Sequence, residues 1–452
     1  MIIMKFGGTS VGSAERMRQV VELAARAHKK SPHPVIVLSA MSGVTNTLIE
    51  GAELALARDL AAALTRVQAL RAKHRQAIED LFDGAVADTL LRDLEGRLEE
   101  LTVLYKGISY LGELTPRSLD AVSGFGELLS SRIVCELASA AGLDSQWLDA
   151  RSFMVTDDNF GRANPLWDKL TAATRQAIEK CAAESKTVIT QGFIGATESG
   201  VSTTLGRGGS DYSASIFGIA LGAAEIQIWT DVDGMMTADP RVIPGARLLP
   251  EVSFQEASEL AYFGAKVLHP LTIKPAIEKD IPVRILNTMR PDQPGTLIKA
   301  SVDCQELVRA VASKKGITAV FLSSPRMLMS HGFLARVFAV FDKYQTPIDL
   351  ISTSEVSVAL TVDRSDRLVE LTDELAEYGD VRVLSDVAIV SVVGRQFREQ
   401  SGIAGRVFNT LSDVNILMIS GGASDINLSF VVSRDDADKA VKQLHEQFFA
   451  SV

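Results

Sequence analysis

Short apolar runs alternate with amphipathic stretches over the first 300 of the 452 residues. The runs with the length and β-branched content of strands are "PVIVLSA" (34–40), "TVITQGFI" (187–194), "EIQIWTDV" (225–232) and "IPVRILN" (281–287). The stretches between them are rich in Ala, Leu, Glu and Arg, which favour helices. This alternation predicts an α/β sandwich of three layers, in which helices cover both faces of a mainly parallel sheet.

A long helical segment interrupts this alternation. Residues 46–107 follow the helical period and are dominated by strong helix formers, most clearly in "LIEGAELALARDLAAALTRVQALRAKHRQAIEDLF". We expect these residues to form a helical excursion from the sheet.

An internal repeat follows residue 300. "RVFAVFDKYQTPIDLISTSEVSVALTVD" (336–363) aligns with "RVFNTLSDVNILMISGGASDINLSFVVS" (406–433), allowing a two-residue slip after the helix. In each copy a helix leads to a short apolar strand, a turn and a strictly alternating strand. The alternating positions are Val356, Val358, Leu360 and Val362 in the first copy, and Ile426, Leu428, Phe430 and Val432 in the second.

Each copy also has a strand-like run before it and a helical pattern after it. The runs are "TAVFLSS" (318–324) and "AIVSVVG" (388–394), and the helical patterns cover 366–378 and 436–449. Strand, helix, strand, strand, helix is the core of a ferredoxin-like module, here present twice. We therefore expect a first domain over residues 1–300, a first module over 301–392 whose leading strand is shared with the second, and a second module over 393–452.

Composition excludes several classes of protein. Asp and Glu exceed Lys and Arg by 56 to 46 without long like-charge runs, which argues against a nucleic acid or an anionic membrane as the main partner. Cys135, Cys181 and Cys304 lie far apart, so we expect neither disulfides nor a zinc site. With no signal-like or membrane-spanning segment in the sequence, we expect a soluble cytoplasmic protein.

Glycine-containing stretches mark candidate ligand-binding loops. They are "KFGGTSVG" (5–12), "SAMSGVTN" (39–46), "GFGELLSSR" (124–132) and "LGRGGSDYS" (205–213). Three of them lie at or just after a candidate strand, and ligands of parallel α/β sheets bind beyond the carboxyl ends of strands. Glycine also lets backbone N–H groups approach phosphate oxygens. No Gly-Lys pair and no complete GxGxxG occurs, which argues against P-loop and Rossmann nucleotide sites.

Four cations accompany turn-rich segments of this acidic chain: Lys5, Arg207, Arg241 and Lys266. Such cations suit a reaction between two anions, since like charges ~4 Å apart repel by about 4 kcal/mol at an effective dielectric near 20. The histidines show neither HxxxH nor HExxH spacing, so no zinc site or Ser/His nucleophile is indicated. A carboxylate nucleophile is ionised at neutral pH and needs no general base.

Five motifs in order carry a resemblance to a known family: "KFGGTSV", "LGRGGSDYSA", "WTDVDGMMTADPR", "FGAKVLHP" and "TSEVSVALT". The chain resembles aspartate kinase over essentially its whole length, and most resembles the monofunctional, lysine-sensitive type. The resemblance implies an amino-acid-kinase domain of the carbamate-kinase-like fold followed by two ACT modules. It also implies ATP-dependent phosphorylation of the side-chain carboxylate of L-aspartate, with Mg²⁺.

The resemblance assigns roles to residues of the kinase domain. Lys5 is implied to contact the transferring phosphoryl group, and Asp211 to position Lys5 or the metal ion, with no residue assigned as a metal ligand. The residues implied in aspartate binding are Ser39, Thr45, Glu127, Arg207, Gly208, Gly209 and Ser210. The residues implied in nucleotide binding are Lys5, Phe6, Gly7, Gly8, Thr9, Thr230, Asp231, Met236, Arg241, Lys266 and Val267.

Within the aspartate set, Arg207 is expected to bind the α-carboxylate, because guanidinium forms planar bidentate pairs with carboxylates. Glu127 is expected to receive the substrate ammonium. Met236 stands where the family often has tyrosine, which puts an aromatic contact with the nucleotide in doubt.

The ACT pair implies regulation by an amino acid, with lysine as the expected effector. The implied effector-site residues are Met327, Ser330, Phe333, Leu334, Pro347, Ile348, Asp349, Ser354, Glu355 and Val356. ACT modules bind effectors between paired copies, so a homodimer is implied, and pairing of dimers into tetramers stays open.

Two other functions remain open from the sequence. One is another amino-acid kinase, acting on glutamate or N-acetylglutamate. The other is a non-catalytic ACT sensor of amino acids, which predicts loss of one or more of Lys5, Arg207 and Asp211, although all three are present.

Overall fold

The computed structural model describes residues 1–30, 33–263, 270–304, 306–363 and 366–450. These residues divide into two compact units. The first unit consists of the described residues within Met1–Gly234, Pro250–Phe254 and Val267–Val302, and the second of those within Met235–Leu249, Gln255–Lys266 and Asp303–Val452.

The first unit is built on a sheet of eight strands with the order β3-β5-β2-β1-β8-β10-β11-β9. Its strands, together with those of a small sheet β4-β6-β7, are β1 (Ile2–Phe6), β2 (Val35–Leu38), β3 (Ser145–Leu148), β4 (Val155–Thr156), β5 (Thr187–Gln191), β6 (Ile194–Thr197), β7 (Ser202–Thr204), β8 (Glu225–Thr230), β9 (Glu251–Ser253), β10 (Val283–Asn287) and β11 (Thr296–Lys299). All neighbours in the large sheet are parallel except β10 and β11. The predicted mainly parallel sheet is confirmed.

Helices connect these strands. They are α1 (Ala14–Lys30), α2 (Val44–Leu56), α3 (Leu60–Leu81), α4 (Gly84–Leu111), α5 (Pro116–Ser123), α6 (Phe125–Ala140), α7 (Trp167–Ala183), α8 (Gly209–Leu221), α9 (Phe254–Phe263), most of which belongs to the second unit, and α10 (Pro270–Glu278). Within the described ranges, every helix is too short or too polar to cross a bilayer.

The four apolar runs singled out in the sequence all contain strands of the large sheet: β2, β5, β8 and β10. Every residue of β2 and β5 is buried, as expected for strands covered on both faces. The sequence predicts one strand over 187–194, but β5 ends at Gln191 and Ile194 begins β6 in the small sheet. The chain turns at Gly192 and Phe193, so one strand-like run contains a change of sheet.

The helical excursion forms as predicted and consists of α2, α3 and α4. Tyr105 of α4 is fully buried, and its hydroxyl donates to the backbone oxygen of Leu48 in α2 at 2.7 Å. This approach requires Gly51, because a Cβ there would lie 2.4 Å from the Tyr105 hydroxyl oxygen. The glycine in the middle of α2 therefore serves helix packing.

The second unit carries one antiparallel sheet of six strands with the order β13-β14-β12-β15-β17-β16. Its strands are β12 (Val308–Ser323), β13 (Ile348–Thr353), β14 (Ser357–Val362), β15 (Asp380–Gly394), β16 (Ile416–Gly421) and β17 (Asn427–Ser433). Its remaining helices are α11 (Phe333–Lys343), α12 (Leu368–Leu375), α13 (Ile403–Thr410) and α14 (Arg434–Phe449).

Two long strands join the repeats into this sheet. The second half of β12, Thr318–Ser323, pairs with β14 and with the beginning of β15. The first half of β12, Val308–Lys315, pairs with Ala388–Gly394 at the end of β15. Each repeat therefore has four antiparallel strands, and the second repeat takes its fourth strand from the chain that precedes the first. The ferredoxin-like modules expected from the repeat are present.

The alternating positions of the repeat supply two separate cores. Val358, Leu360 and Val362 are buried in the first core, and Phe430 and Val432 in the second. The predicted alternation is one step too long in each copy, because Val356 and Ile426 lie before β14 and β17 begin. Period two thus identified the core face correctly, although not the strand ends.

Candidate active site

A cavity of about 650 Å³ lies in the first unit, at the carboxyl ends of β1, β2 and β5. Sequence-predicted residues that line it are Lys5, Gly8, Ser39, Thr45, Glu127, Arg207, Gly208, Gly209, Ser210 and Asp211. Residues far apart in the chain meet there because parallel strands end at a common edge of the sheet.

Two helices begin at the cavity wall. Gly43 (φ 81°) precedes α2 and Gly208 (φ 73°) precedes α8, both with the left-handed backbone that favours glycine. The first turns of these helices contribute Thr45 and Ser210 to the lining. Free backbone N–H groups and the positive end of the helix dipole make such termini favourable for anions.

The loops around the cavity are held together through close backbone contacts. A Cβ on Gly8 would lie 2.8 Å from the backbone oxygen of Ala40, and the N–H of Ser42 donates to the oxygen of Gly8 at 3.1 Å. A Cβ on Gly192 would lie 2.7 Å from Cα of Ser210. Glycine is required at both positions because the loops after β1, β2 and β5 pack against their neighbours there.

Lys5 and Asp211 form an ion pair in the cavity wall. The Nζ of Lys5, near the end of β1, lies 2.6 Å from Oδ1 of Asp211, in the first turn of α8. Both side chains are largely buried, so solvent screens their charges only weakly. A Cβ on Gly7 would lie 3.6 Å from this Nζ. The pair fixes a cation beside the helix terminus.

Glu127 carries a buried carboxylate on the opposite helix, α6. It is 3% exposed, and burial raises its pKa to about 8, against the lowering effects of backbone hydrogen bonds at Ala40 and Glu127 and of the Lys5 charge. Its Oε2 atom is buried without a hydrogen-bond partner among the described residues. An ammonium group that enters the cavity would donate a hydrogen bond to Oε2, and its positive charge would pair with the ionised Glu127 carboxylate.

Arg207 and Ser39 differ in how firmly they are held. Arg207 is exposed on the loop between β7 and α8 and lines the cavity. Ser39 is fixed through its backbone, since its N–H donates to Phe6 at 3.2 Å and its oxygen accepts the Ser130 hydroxyl at 2.7 Å. The Arg207 side chain is therefore freer to move toward a ligand than Ser39 is.

Several predicted nucleotide contacts cluster at the ends of β1 and β8, which are neighbours in the sheet. The Thr230 hydroxyl donates to Asp231 Oδ1 at 3.3 Å, and the N–H of Gly7 donates to the Trp229 oxygen at 3.1 Å. Phe6 is fully buried and stacks on Trp229, with ring centroids 5.7 Å apart. Only the backbone of Phe6 is therefore available to a ligand. The Thr9 oxygen accepts from Arg16 at 2.7 Å.

Other predicted nucleotide contacts belong to the second unit. Arg241 is mostly exposed and pairs with Asp239, with 2.6 Å between Nη2 and Oδ2. Met236 is half-buried and forms a bridge with Leu248. Lys266 and Val267 lie outside the described residues.

The predicted effector residues surround α11 and β13 in the second unit. Phe333 is buried in the first module's core with Met327, Leu334 and Ile348 packed against that core, whereas Ser330, Pro347, Ser354, Glu355 and Val356 are exposed. The Asp349 side chain is 2% exposed, and its Oδ1 accepts from the Tyr262 hydroxyl and, at 3.1 Å, from Lys314 Nζ. Burial raises the pKa of Asp349, against the lowering effects of these two donors. An effector ammonium would meet a carboxylate that already has partners.

Part of the cavity lining carries no recognisable signal in the sequence. Unpredicted lining residues include Asp120, Ser123, Gly161, Phe193 and Thr204. Asp120 comes from α5, where a single acidic residue in an amphipathic pattern carries no signal that separates a cavity residue from a surface one.

Two family profiles match the chain. The amino acid kinase family matches residues 1–287, and the ACT domain matches residues 390–448. Aspartokinase 1, chloroplastic, of Arabidopsis thaliana is 38% identical over 99% of this chain and 80% of its own length. Lysine-sensitive aspartokinase 3 of Escherichia coli (strain K12) is 37% identical over 99% of this chain and 99% of its own.

Solved structures agree with the sequence relatives. The crystal structure of E. coli aspartokinase III in complex with aspartate and ADP (R-state) superimposes with a TM-score of 0.85 at 37% identity, covering 99% of this chain and 100% of that one. The complex of E. coli aspartokinase III with lysine and aspartate (T-state) gives a TM-score of 0.85 and covers 99% of each chain. The likeness extends through both units, and the chain belongs to the aspartokinase family.

Proposed function

We propose that this aspartokinase transfers the γ-phosphoryl group of ATP to the side-chain carboxylate of L-aspartate, giving 4-phospho-L-aspartate and ADP. The chain is an enzyme by family membership, and the assignment of individual residues is our proposal. The observation that supports it best is the cavity in which Lys5 and Asp211 pair beside Arg207 and Glu127.

The two ends of an amino acid match the two sides of this cavity. Arg207 would bind the α-carboxylate through its planar guanidinium, and Glu127, with its unpartnered Oε2, would bind the α-ammonium. Ser39, Thr45, Gly208, Gly209 and Ser210 would orient the substrate from the loops and helix termini around it. The side-chain carboxylate is then left free to react.

The reaction joins two anions and needs little proton transfer. An oxygen of the aspartate side chain, already ionised at neutral pH, attacks the γ-phosphorus as the bond to the bridging oxygen of ADP breaks. Lys5 would bind the transferring group, and the termini of α2 and α8 would stabilise its charge. Asp211 holds Lys5 in position by the 2.6 Å ion pair.

The structural relative that binds ADP supports nucleotide use, and we extend this to ATP with Mg²⁺. Among the described residues no group of three or more His, Cys, Asp or Glu is arranged to hold a metal ion. Mg²⁺ binds through one or two carboxylates together with substrate phosphates, and the Asp211 carboxylate lines the cavity beside Lys5. Asp211 would position Lys5 or the ion, and the ion would neutralise charge on the phosphates. Thr230 and Asp231 would contact the nucleotide, with Met236, Arg241, Lys266 and Val267 as further proposed contacts.

Regulation by lysine is the second part of the proposal. A relative is named lysine-sensitive, and another solved structure contains lysine with aspartate. We propose that lysine binds beside Asp349 and Glu355 in the first ACT module and lowers the rate, and that the enzyme is a homodimer. We propose domain boundaries at residues 300 and 392.

We also propose that the protein is located in the cytoplasm. Cys135, Cys181 and Cys304 are free thiols in the structure, and a reducing compartment would keep them so.

The proposed reaction is tested by trapping its product. Purified protein incubated with ATP, Mg²⁺, aspartate and hydroxylamine should form aspartyl hydroxamate, because hydroxylamine cleaves acyl phosphates. Glutamate and N-acetylglutamate in place of aspartate should give at most a small fraction of this signal. A larger signal with either would favour another amino-acid kinase, and no signal with any of them would favour a non-catalytic sensor.

A further inference from the structure

Asp120 is a buried carboxylate in the cavity wall. It is 3% exposed and lies in α5, the helix that precedes α6 and its Glu127. A carboxylate loses much hydration energy when it is buried, and this loss must be offset by hydrogen bonds within the protein. The partners of Asp120 therefore indicate its structural role.

Each of these hydrogen bonds reaches another part of the chain. Oδ2 of Asp120 accepts from the N–H groups of Gly161 and Thr204, both at 2.9 Å. Oδ1 accepts from the Thr204 hydroxyl at 2.6 Å. One side chain thus joins α5, the turn at Gly161 and the last residue of β7.

The segment fixed in this way carries Arg207. Thr204 ends β7, and the next residues form the loop that leads to α8. In that loop Gly206 (φ 77°) packs so closely on the Gly161 turn that a Cβ would lie 2.9 Å from the Gly161 oxygen. Asp120 therefore holds both the base of the Arg207 loop and the turn on which that loop rests.

We propose that Asp120 is a positioning residue that sets the separation between Glu127 and Arg207. The proposal rests on the proposed function, in which these two side chains bind the ammonium and the carboxylate of one amino acid. Asp120 connects the helix pair that carries the anion to the loop that carries the cation. A displacement of about 1 Å between two such groups is enough to lower activity by about a hundredfold.

Three variants test this in the full chain. Asp120→Ala removes every hydrogen bond. Asp120→Asn keeps them, because the amide oxygen can accept both N–H groups while the amide nitrogen donates to the Thr204 hydroxyl. Thr204→Val removes only the hydroxyl bond. Steady-state KM for aspartate and for ATP is measured for each variant.

We expect Asp120→Ala to raise KM for aspartate by about tenfold or more and KM for ATP by less than about twofold. Asp120→Asn should recover KM for aspartate to within about threefold of the parent enzyme, and Thr204→Val should lie between the two. Equal changes in the two KM values, an Asn variant no better than the Ala variant, or an unchanged KM for aspartate would each overturn the proposal.

Folding is controlled separately. Thr174 in α7 is fully buried outside the cavity, and Asp59 caps α3 by accepting the Ala62 N–H at 3.0 Å. Thr174→Val and Asp59→Ala should change Tm without changing the ratio of the two KM values. If Asp120→Ala does not fold, Thr204→Val decides, and its KM for aspartate at the parent value overturns the proposal. Failure of the parent enzyme to form aspartyl phosphate would instead reject the proposed function.

Discussion

The ammonium of Lys5 lies 2.6 Å from the carboxylate of Asp211, so a cation at the end of β1 is fixed by the first turn of α8. The pair joins the loop after the first strand to the "LGRGGSDYS" segment, which are separated by about 200 residues in the sequence. An ion pair of this kind holds the lysine in one position before substrates bind, which is the condition for stabilising a transition state electrostatically.

Replacing Lys5 by Met should therefore lower kcat by about 10²–10³-fold with a smaller change in KM for aspartate, because a charge that acts on the transferring phosphoryl group is lost. Lys29→Met, at an exposed position near the end of α1, is the matched control and should keep normal turnover. Turnover of Lys5→Met close to that of the control would remove Lys5 from the phosphoryl site.

Arg207→Ala should raise KM for aspartate by about tenfold or more and leave KM for ATP within about twofold, since a bidentate pair with a carboxylate is lost. Arg26→Ala in α1, whose side chain is 60% exposed, controls for removal of a surface arginine. Equal increases in both KM values would contradict binding of the α-carboxylate by Arg207.

Aspartate binding should depend on the ionisation of Glu127. Its pKa is raised to about 8, so in the empty site the carboxyl group is mostly protonated at pH 6.5 and mostly ionised at pH 8.5. Only the ionised form pairs with an ammonium, and kcat/KM for aspartate should rise by roughly 25-fold over this interval, in proportion to the ionised fraction. Glu127→Gln should have a lower kcat/KM and lack this rise. A parent profile that is flat between these pH values would show that Glu127 does not control binding.

The same pKa shift predicts an effect on stability. Between pH 4.5, the ordinary pKa, and about 8, the folded state binds the proton of Glu127 more tightly than the unfolded state does. The tighter proton binding stabilises the folded state when Glu127 is protonated. This stabilisation is fully present below pH 4.5 and is lost as pH rises through 8. Urea denaturation should therefore show Glu127→Gln gaining stability relative to the parent protein from pH 5 to pH 9. The opposite trend would mean that Glu127 is ionised in the fold.

Asp349→Asn should raise the lysine concentration for half-maximal inhibition by about tenfold or more, since the amide cannot pair with an ammonium. Lys314→Met should lower this lysine concentration. Lys314 Nζ lies 3.1 Å from the Asp349 carboxylate, and its removal would leave that carboxylate free to bind the effector ammonium. Asp363→Asn is the control, as Asp363 contacts the same lysine at 2.9 Å from an exposed position. If neither Asp349→Asn nor Lys314→Met changes inhibition, the effector binds elsewhere.

Gly51→Ala should lower the free energy of unfolding by about 1–3 kcal/mol, because the added methyl group would overlap the buried Tyr105 ring. Gly96→Ala in α4 meets no atom within 4 Å and should instead gain roughly 0.5–1 kcal/mol from helix propensity. Urea denaturation measures the free energy of unfolding of both variants. An equal change in the two variants would show that helix propensity alone controls the stability of the excursion.

The sequence alone determined the α/β class, the helical excursion, the repeated modules and many of the cavity residues. These features are local or periodic: β-branched runs mark buried strands, period two marks the core face at Val358 and Phe430, and glycine beside Lys5 or Arg207 marks loops that approach a ligand. Family resemblance added the roles of single residues.

Only the tertiary structure decided which of these residues meet. Four features depend on contacts between distant segments of the chain. They are the change of sheet after Gln191, the pairing of each half of β12 with a half of β15, the ion pair of Asp349 with Lys314, and the position of Asp120. Such contacts leave no periodic trace in the sequence, because a buried carboxylate and a solvated one are the same letter until the chain around them is folded.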